Sequence, residues 1–268
     1  MINGHRVIDA HCHIYPEKIV DRAVANTDRF YGTVSARRGT TSELIEFGDK
    51  DGIDKFIVCS VATTAHQVGR INEFIAEEVT NHPGRFFGLG TMYPFSETIK
   101  EDFKHLLGLG LKGIKLHPDI QQFAVDDENC LPIYELAQEA GVPVLFHSGD
   151  CRYDYSNPNR LKKVLDAFPE MTVIGAHFGG WSIWNTAVDE YKDYPNFYVD
   201  TSSSFYSITP NEGRKIIEKY GIDKVMFGTD YPMWRAEDEL SAVLKMGLTD
   251  SDYEKLFYKN AERVYGIK

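Results

Sequence analysis

Two histidines, His11 and His13, close an apolar run, Val7-Ile8-Asp9-Ala10-His11-Cys12-His13. Side chains alternate across a strand, so residues two apart share a face. Both imidazoles can therefore reach one point in space. Three later apolar runs also end in a ligand-type residue: Val144-Leu145-Phe146-His147, Ile174-Gly175-Ala176-His177 and Val225-Met226-Phe227-Gly228-Thr229-Asp230. A lone histidine is more often structural than functional. Imidazoles and a carboxylate gathered at several strand ends are what a metal-dependent barrel enzyme needs.

Elements that would carry these residues alternate along the whole chain. Short runs rich in Val, Ile, Leu and Phe lie at 7–14, 55–61, 85–92, 111–116, 142–147, 172–177, 196–201 and 224–229. Such runs suit strands buried on both faces of a parallel sheet. Between them, amphipathic segments at 41–51, 66–81, 97–107, 131–140, 159–168 and 210–220 predict helices, with Ser, Asn or Pro at starts and Gly or Pro at ends. A last helix, 252–265, should close the structure. Eight alternating units predict a single (β/α)8 TIM barrel spanning residues 1–268 as one domain, with an open doubly wound sheet as the alternative. The segment 17–40 is less regular and leaves the end of the first strand, where a lid or substrate-shaping loop would sit.

The length, 268 residues, suits one such barrel, and a hydrophobic content of 43% can fill its core. A net charge of -11 argues against nucleic acid and anionic membrane surfaces as partners. The four cysteines, Cys12, Cys59, Cys130 and Cys151, form no CxxC pair and read as buried thiols. Without an apolar run near about 18 residues or a leader before the first strand, the expectation is a cytoplasmic protein.

Several motifs, taken together, carry a resemblance. Asp9-Ala10-His11-Cys12-His13, Gly113-Ile114-Lys115-Leu116-His117-Pro118, Phe146-His147-Ser148-Gly149, Ala176-His177-Phe178-Gly179-Gly180 and Gly228-Thr229-Asp230-Tyr231-Pro232 resemble the amidohydrolase superfamily. The closer likeness is to the amidohydrolase-2 branch, which also holds the aminocarboxymuconate-semialdehyde and resorcylate-type decarboxylases. The ending Tyr258-Lys259-Asn260-Ala261-Glu262-Arg263-Val264-Tyr265-Gly266 resembles that branch too. The resemblance implies that His11, His13, His147 and Asp230 hold one divalent ion. The mixed donor set favours zinc, with manganese, iron or nickel as alternatives. His177 would sit beside the metal and polarise the substrate.

A bound metal can lower the pKa of its water to about 7, and Asp230 can accept that water's proton. The expected reaction is hydrolysis of a C–N or C–O bond in a small amide, lactone or ester. The alternative is non-oxidative decarboxylation, or hydration, of a small unsaturated or aromatic acid. The ligand set serves both chemistries; the shortness of the chain beside the branch's decarboxylases favours hydrolysis. A barrel that has lost chemistry would be expected to have lost a ligand, and none is missing.

Other residues carry weaker expectations. Lys115 occupies the place where binuclear relatives carry a metal-bridging lysine; a positioning or substrate-anion role fits a mononuclear site better. His117 is a rim contact or an ordinary loop histidine. Asp9 shares parity with His11 and His13 and reads as structural, or as a partner that fixes a ligand tautomer. Tyr15, Trp181 and Trp234 follow the site motifs and could wall a small-molecule pocket, while Arg152 and Arg235 could clamp a carboxylate. A homodimer is compatible with the sequence, but no apolar stripe commits to it.

Overall fold

The computed structural model describes residues 4–267. Its strands are β1 (Ile8–His13), β2 (Lys55–Cys59), β3 (Phe86–Gly88), β4 (Gly90–Thr91), β5 (Ile114–Leu116), β6 (Val144–Phe146), β7 (Val173–Gly175), β8 (Phe197–Asp200) and β9 (Val225–Met226). All paired neighbours are parallel. β1 to β3 pair in order, as do β4 to β9. β3 and β4 are two halves of one strand, interrupted at Leu89, whose N–H still donates to Val58 O. The last strand returns to the first: Ala10 N donates to Phe227 O and Asp230 N to His11 O, each at 2.9 Å. The fold is a TIM barrel, as the alternation of elements predicts.

Two layers of apolar side chains divide between the strand faces. Ile8, Ala10, Ile57, Leu89, Leu145, Ile174 and Met226 fill the barrel. Phe56, Val58, Val144, Phe146, Val173 and Val199 pack outward against the helices. Each buried side chain of this size contributes about 1.5–3 kcal/mol on transfer from water.

The expected irregular segment 17–40 contains a helix, α1 (Val20–Tyr31), capped by Gly32 in the left-handed conformation. Its inward stripe is Val20, Ala23, Val24, Thr27 and Tyr31, at helical spacing. Small and polar members make that stripe weak in the sequence. The helices Trp184–Tyr191 and Ala236–Leu244 also arise outside the predicted segments. The final helix is interrupted by a π-helical turn, Lys255–Lys259, after which Asn260 donates to Ile222 O and Val225 O and ties the chain end to β9. Cys12, Cys59 and Cys130 are buried free thiols; Cys151 is exposed instead. No helix among the described residues is long and apolar enough to cross a membrane.

Candidate metal centre

At one end of the barrel, β1 and the segment after β9 bring three donors together. His11 Nε2 lies 3.2 Å from His13 Nε2. Asp230 Oδ1 lies 3.4 Å from His11 Nε2 and 3.5 Å from His13 Nε2. Lys115, wholly buried on β5, places Nζ 3.1 Å from His11 Nε2 and makes no ion pair among the described residues. His147 and His177 line the same cavity, with His147 Nδ1 3.0 Å from His177 Nε2.

A polar shell after β8 orients these groups. Asp200 accepts from His11 Nδ1 at 3.0 Å and from the backbone N–H groups of His177 and Ser202 at 3.1 Å. Ser202 Oγ donates to Asp200 and lies within 3.0 Å of both His11 Nδ1 and His177 Nδ1. Ser203 Oγ donates to Asp230 Oδ2 at 2.5 Å and accepts from Trp234 Nε1 at 2.7 Å. The turns that present the site are conformationally unusual. His177, Phe178, Ser203 and Asp230 all have positive φ, at 61°, 53°, 44° and 61°. Gly149 (φ +71°) lets the β6 loop touch the β7 loop; a Cβ there would stand 2.6 Å from Gly180 Cα.

Helix α1 delivers Tyr31 to the rim, a residue sequence reasoning missed along with Asp200, Ser202 and Ser203. Its hydroxyl lies 2.7 Å from His117 Nε2 and 3.4 Å from both ring nitrogens of His147. The His117 and His147 rings stack at 4.1 Å and 5°. Tyr15 lines the cavity as expected. Arg152 does not line it. Its guanidinium is held by Asp150 at 2.7 Å and by Phe30 O at 2.9 Å, above the rings of Phe30, Tyr31, Tyr153 and Trp181. Trp181 packs edge-on against Tyr31 instead of facing the cavity, and Trp234 acts on Asp230 through Ser203. Arg235 pairs with Glu237 at the surface. Asp9 departs from the parity reading: the β1–β2 register shifts between Asp9 and Cys12. Its carboxylate accepts from Thr229 N, Thr229 Oγ1 and the His11 backbone instead of an imidazole.

Burial disfavours charge on the histidines. It holds His13, His117 and His147 well below the ordinary imidazole range and His177 down to about 4, and it lowers Lys115. Burial pushes Asp230 upward, but His11, His177, His13 and the Ser203 hydrogen bond outweigh it and hold the carboxylate well below its usual range. Asp200 is likewise pushed up by burial, yet His11, His177 and Ser202 bring it to about 2. Neutral imidazoles beside an ionised carboxylate are the protonation states a metal requires. Ligands held about 2.1 Å from one ion stand about 3.0 Å apart in octahedral and about 3.4 Å apart in tetrahedral geometry. The separations of 3.2, 3.4 and 3.5 Å among His11, His13 and Asp230 lie close to these spacings.

Residues 8–267 match the Amidohydro_2 family model, described as amidohydrolase. The chain belongs to the amidohydrolase family. A gamma-resorcylate decarboxylase from Polaromonas sp. is 21% identical over 333 aligned residues, covering 99% of each chain. A 2-amino-3-carboxymuconate-6-semialdehyde decarboxylase from Dictyostelium discoideum is 34% identical over 79 residues, which are 29% of this chain and only 22% of that relative's length. Among solved structures, a dihydroxybenzoic acid decarboxylase from Polaromonas sp. JS666, with bound manganese and the inhibitor 2-nitroresorcinol, superposes with a TM-score of 0.74. It is 17% identical and covers 98% of this chain and 97% of its own.

These findings correct the expectation of hydrolysis: the named relatives of this amidohydrolase-family chain are decarboxylases. Length misled. The match to the gamma-resorcylate enzyme runs end to end, so its extra residues enter as insertions, which surface loops tolerate without touching the strand ends. Zinc gains no support either; the ion named in the solved relative is manganese.

Proposed function

We propose that the protein is a metal-dependent, non-oxidative decarboxylase of a small aromatic carboxylic acid. The observation that carries this reading is the end-to-end match to a gamma-resorcylate decarboxylase, set beside a buried Asp230 carboxylate that faces His11 and His13 at the inner wall of a cavity of about 990 Å³. His11, His13, His147 and Asp230 would hold the ion, and the solved relative favours manganese for it. Once bound, the ion supplies positive charge that fixes the substrate's oxygens and draws electron density from its ring.

The reaction breaks the bond between ring carbon and carboxylate. The electron pair stays on the ring carbon, which takes up one proton, and carbon dioxide leaves. The chain must therefore place a proton carrier beside that carbon. Ser203 holds Oδ2 of Asp230 and leaves Oδ1 toward the histidines, so Asp230, ionised at rest, is the group we assign to take a proton from solvent and pass it to the ring carbon. His177 keeps Nδ1 on Ser202 O, which fixes the ring so that Nε2 faces His147 and the cavity. Lys115, uncompensated by any ion pair among the described residues, supplies fixed positive charge for the acid group.

The test is release of labelled carbon dioxide from hydroxybenzoic acids carrying 13C in the carboxylate, with manganese-loaded protein. Release from at least one acid, abolished by a chelator and restored by manganese, is expected. No release from any of them, alongside acid formation from lactones or esters, would overturn the assignment.

A further inference from the structure

The chain has twelve arginines. Ten hold a hydrogen bond or ion pair within the protein, from Arg6 on Glu262 to Arg263 on Asn260. Arg22 and Arg70 hold none among the described residues, and both line the cavity above the metal centre. They stand on different elements: Arg22 on α1, Arg70 on the helix Val68–Asn81. Lys18 lines the same mouth, also without a partner among the described residues.

Charge within the cavity is inverted relative to the chain. The protein carries 40 acidic residues against 29 basic ones. Yet among the described residues Asp230 is the sole carboxylate in the cavity lining, which also holds Lys18, Arg22, Arg70 and Lys115. A cleft lined by one sign of charge concentrates ligands of the other. The lining also includes the apolar side chains Ile19, Ala23, Ile71 and Phe74, carried on the same two segments as Arg22 and Arg70. At about 990 Å³ the cavity lies at the upper end of the range of about 300–1,000 Å³ for small-molecule sites, far more than one ring and its acid group require.

We propose that Arg22 and Arg70 form a second anion-binding subsite at the cavity mouth, and that the substrate class is an acid bearing a further carboxylate or phosphate beyond an apolar body. The proposal rests on the reading of the metal centre as the seat of the reacting acid group. Guanidinium groups suit either terminal anion, because their planar donors match both oxygen geometries. Lys18 adds a third positive charge near the mouth.

Calorimetric binding to the manganese-loaded protein tests it, with three probes of equal tether: 4-butylbenzoate, 4-(4-carboxybutyl)benzoate and the corresponding terminal methyl phosphate diester, which carries a single charge at its end. Either or both dianions should bind about tenfold more tightly than the monoanion at low salt, an advantage that shrinks as salt rises. The double variant R22Q/R70Q should lose that advantage and keep the monoanion affinity within about twofold, since both side chains are exposed and neither touches the metal donors. An advantage confined to one dianion names the terminal group. Equal affinity for all three probes, undetectable binding of the dianions, or an advantage that survives the double substitution overturns the proposal. Carbon dioxide plays no part in this readout. A protein that prefers the dianions but decarboxylates nothing keeps the subsite and loses the assigned reaction; the reverse result does the opposite.

Discussion

Nδ1 of His11 lies 3.0 Å from Oδ2 of Asp200, and both side chains are almost wholly buried. Because Asp200 is ionised, Nδ1 of the imidazole is the donor to it, and Nε2 is the ring nitrogen that faces His13 and Asp230. The same carboxylate accepts the His177 backbone N–H. One side chain from β8 thus sets the tautomer of one site histidine and the backbone position of another.

Replacing Asp200 by Asn should lower metal affinity by about 10–100-fold, as changes to the partners of ligand histidines do. The amide presents an N–H where His11 needs an acceptor. Competition against a chromogenic chelator measures this; unchanged affinity would show that His11 orientation does not depend on Asp200.

D230N should reduce carbon dioxide release by at least about 100-fold, the lower bound for losing a positioned proton carrier. Asn adopts the left-handed backbone as readily as Asp, so the turn at φ 61° survives and the melting temperature should hardly move. Turnover within tenfold of the parent protein would assign the proton to another group.

Arg152 fastens the end of α1 to the β6 loop through Asp150, Phe30 O and four aromatic rings. R152A should cost about 1–2 kcal/mol of stability, from one partly exposed ion pair and the lost ring contacts. KM should rise through loosening of Tyr31, because Arg152 does not line the cavity. Denaturant titration and steady-state kinetics give the two readouts; unchanged values in both would mean that α1 is held elsewhere.

Glu239 is buried, and its Oε2 has no hydrogen-bond partner among the described residues. Burial, then the nearby negative charges of Asp9 and Asp230, raises its pKa well above the carboxylate range. The folded state therefore holds this proton more tightly than the unfolded chain. Stability is lost as pH climbs from the unfolded pKa of about 4.3 through the raised folded value. E239Q should match the parent near pH 4 and melt higher by an amount that grows toward pH 8. A melting difference independent of pH would contradict this.

The clustering of these side chains was legible in the sequence because they sit at strand ends, where alternation and apolar runs leave a clear pattern. His11, His13, Lys115, His147, His177 and Asp230 all line one cavity. The parity argument put Asp9 on the face of His11 and His13, and the register shift between Asp9 and Cys12 breaks that alternation; the structural reading of Asp9 fits its bonds to Thr229. Asp200, Ser202 and Ser203 were passed over: an Asp-Thr-Ser-Ser-Ser stretch looks like a loop, and only the closed ring brings it beside His11. Tyr31 reaches the site from a helix whose inward stripe includes Ala and Thr, too weakly apolar to register. The reaction itself was misjudged from chain length, a quantity that surface insertions change without altering a single donor.

Four residues at the centre (His177, Phe178, Ser203 and Asp230) keep backbone angles that favour glycine or asparagine. Each costs of order 1–3 kcal/mol, which the surrounding barrel must over-determine. Heat resistance and turnover are therefore in competition at the same few positions. A population selected for thermal survival alone should drift toward relaxed backbones there and lose activity first, while its barrel grows harder to melt.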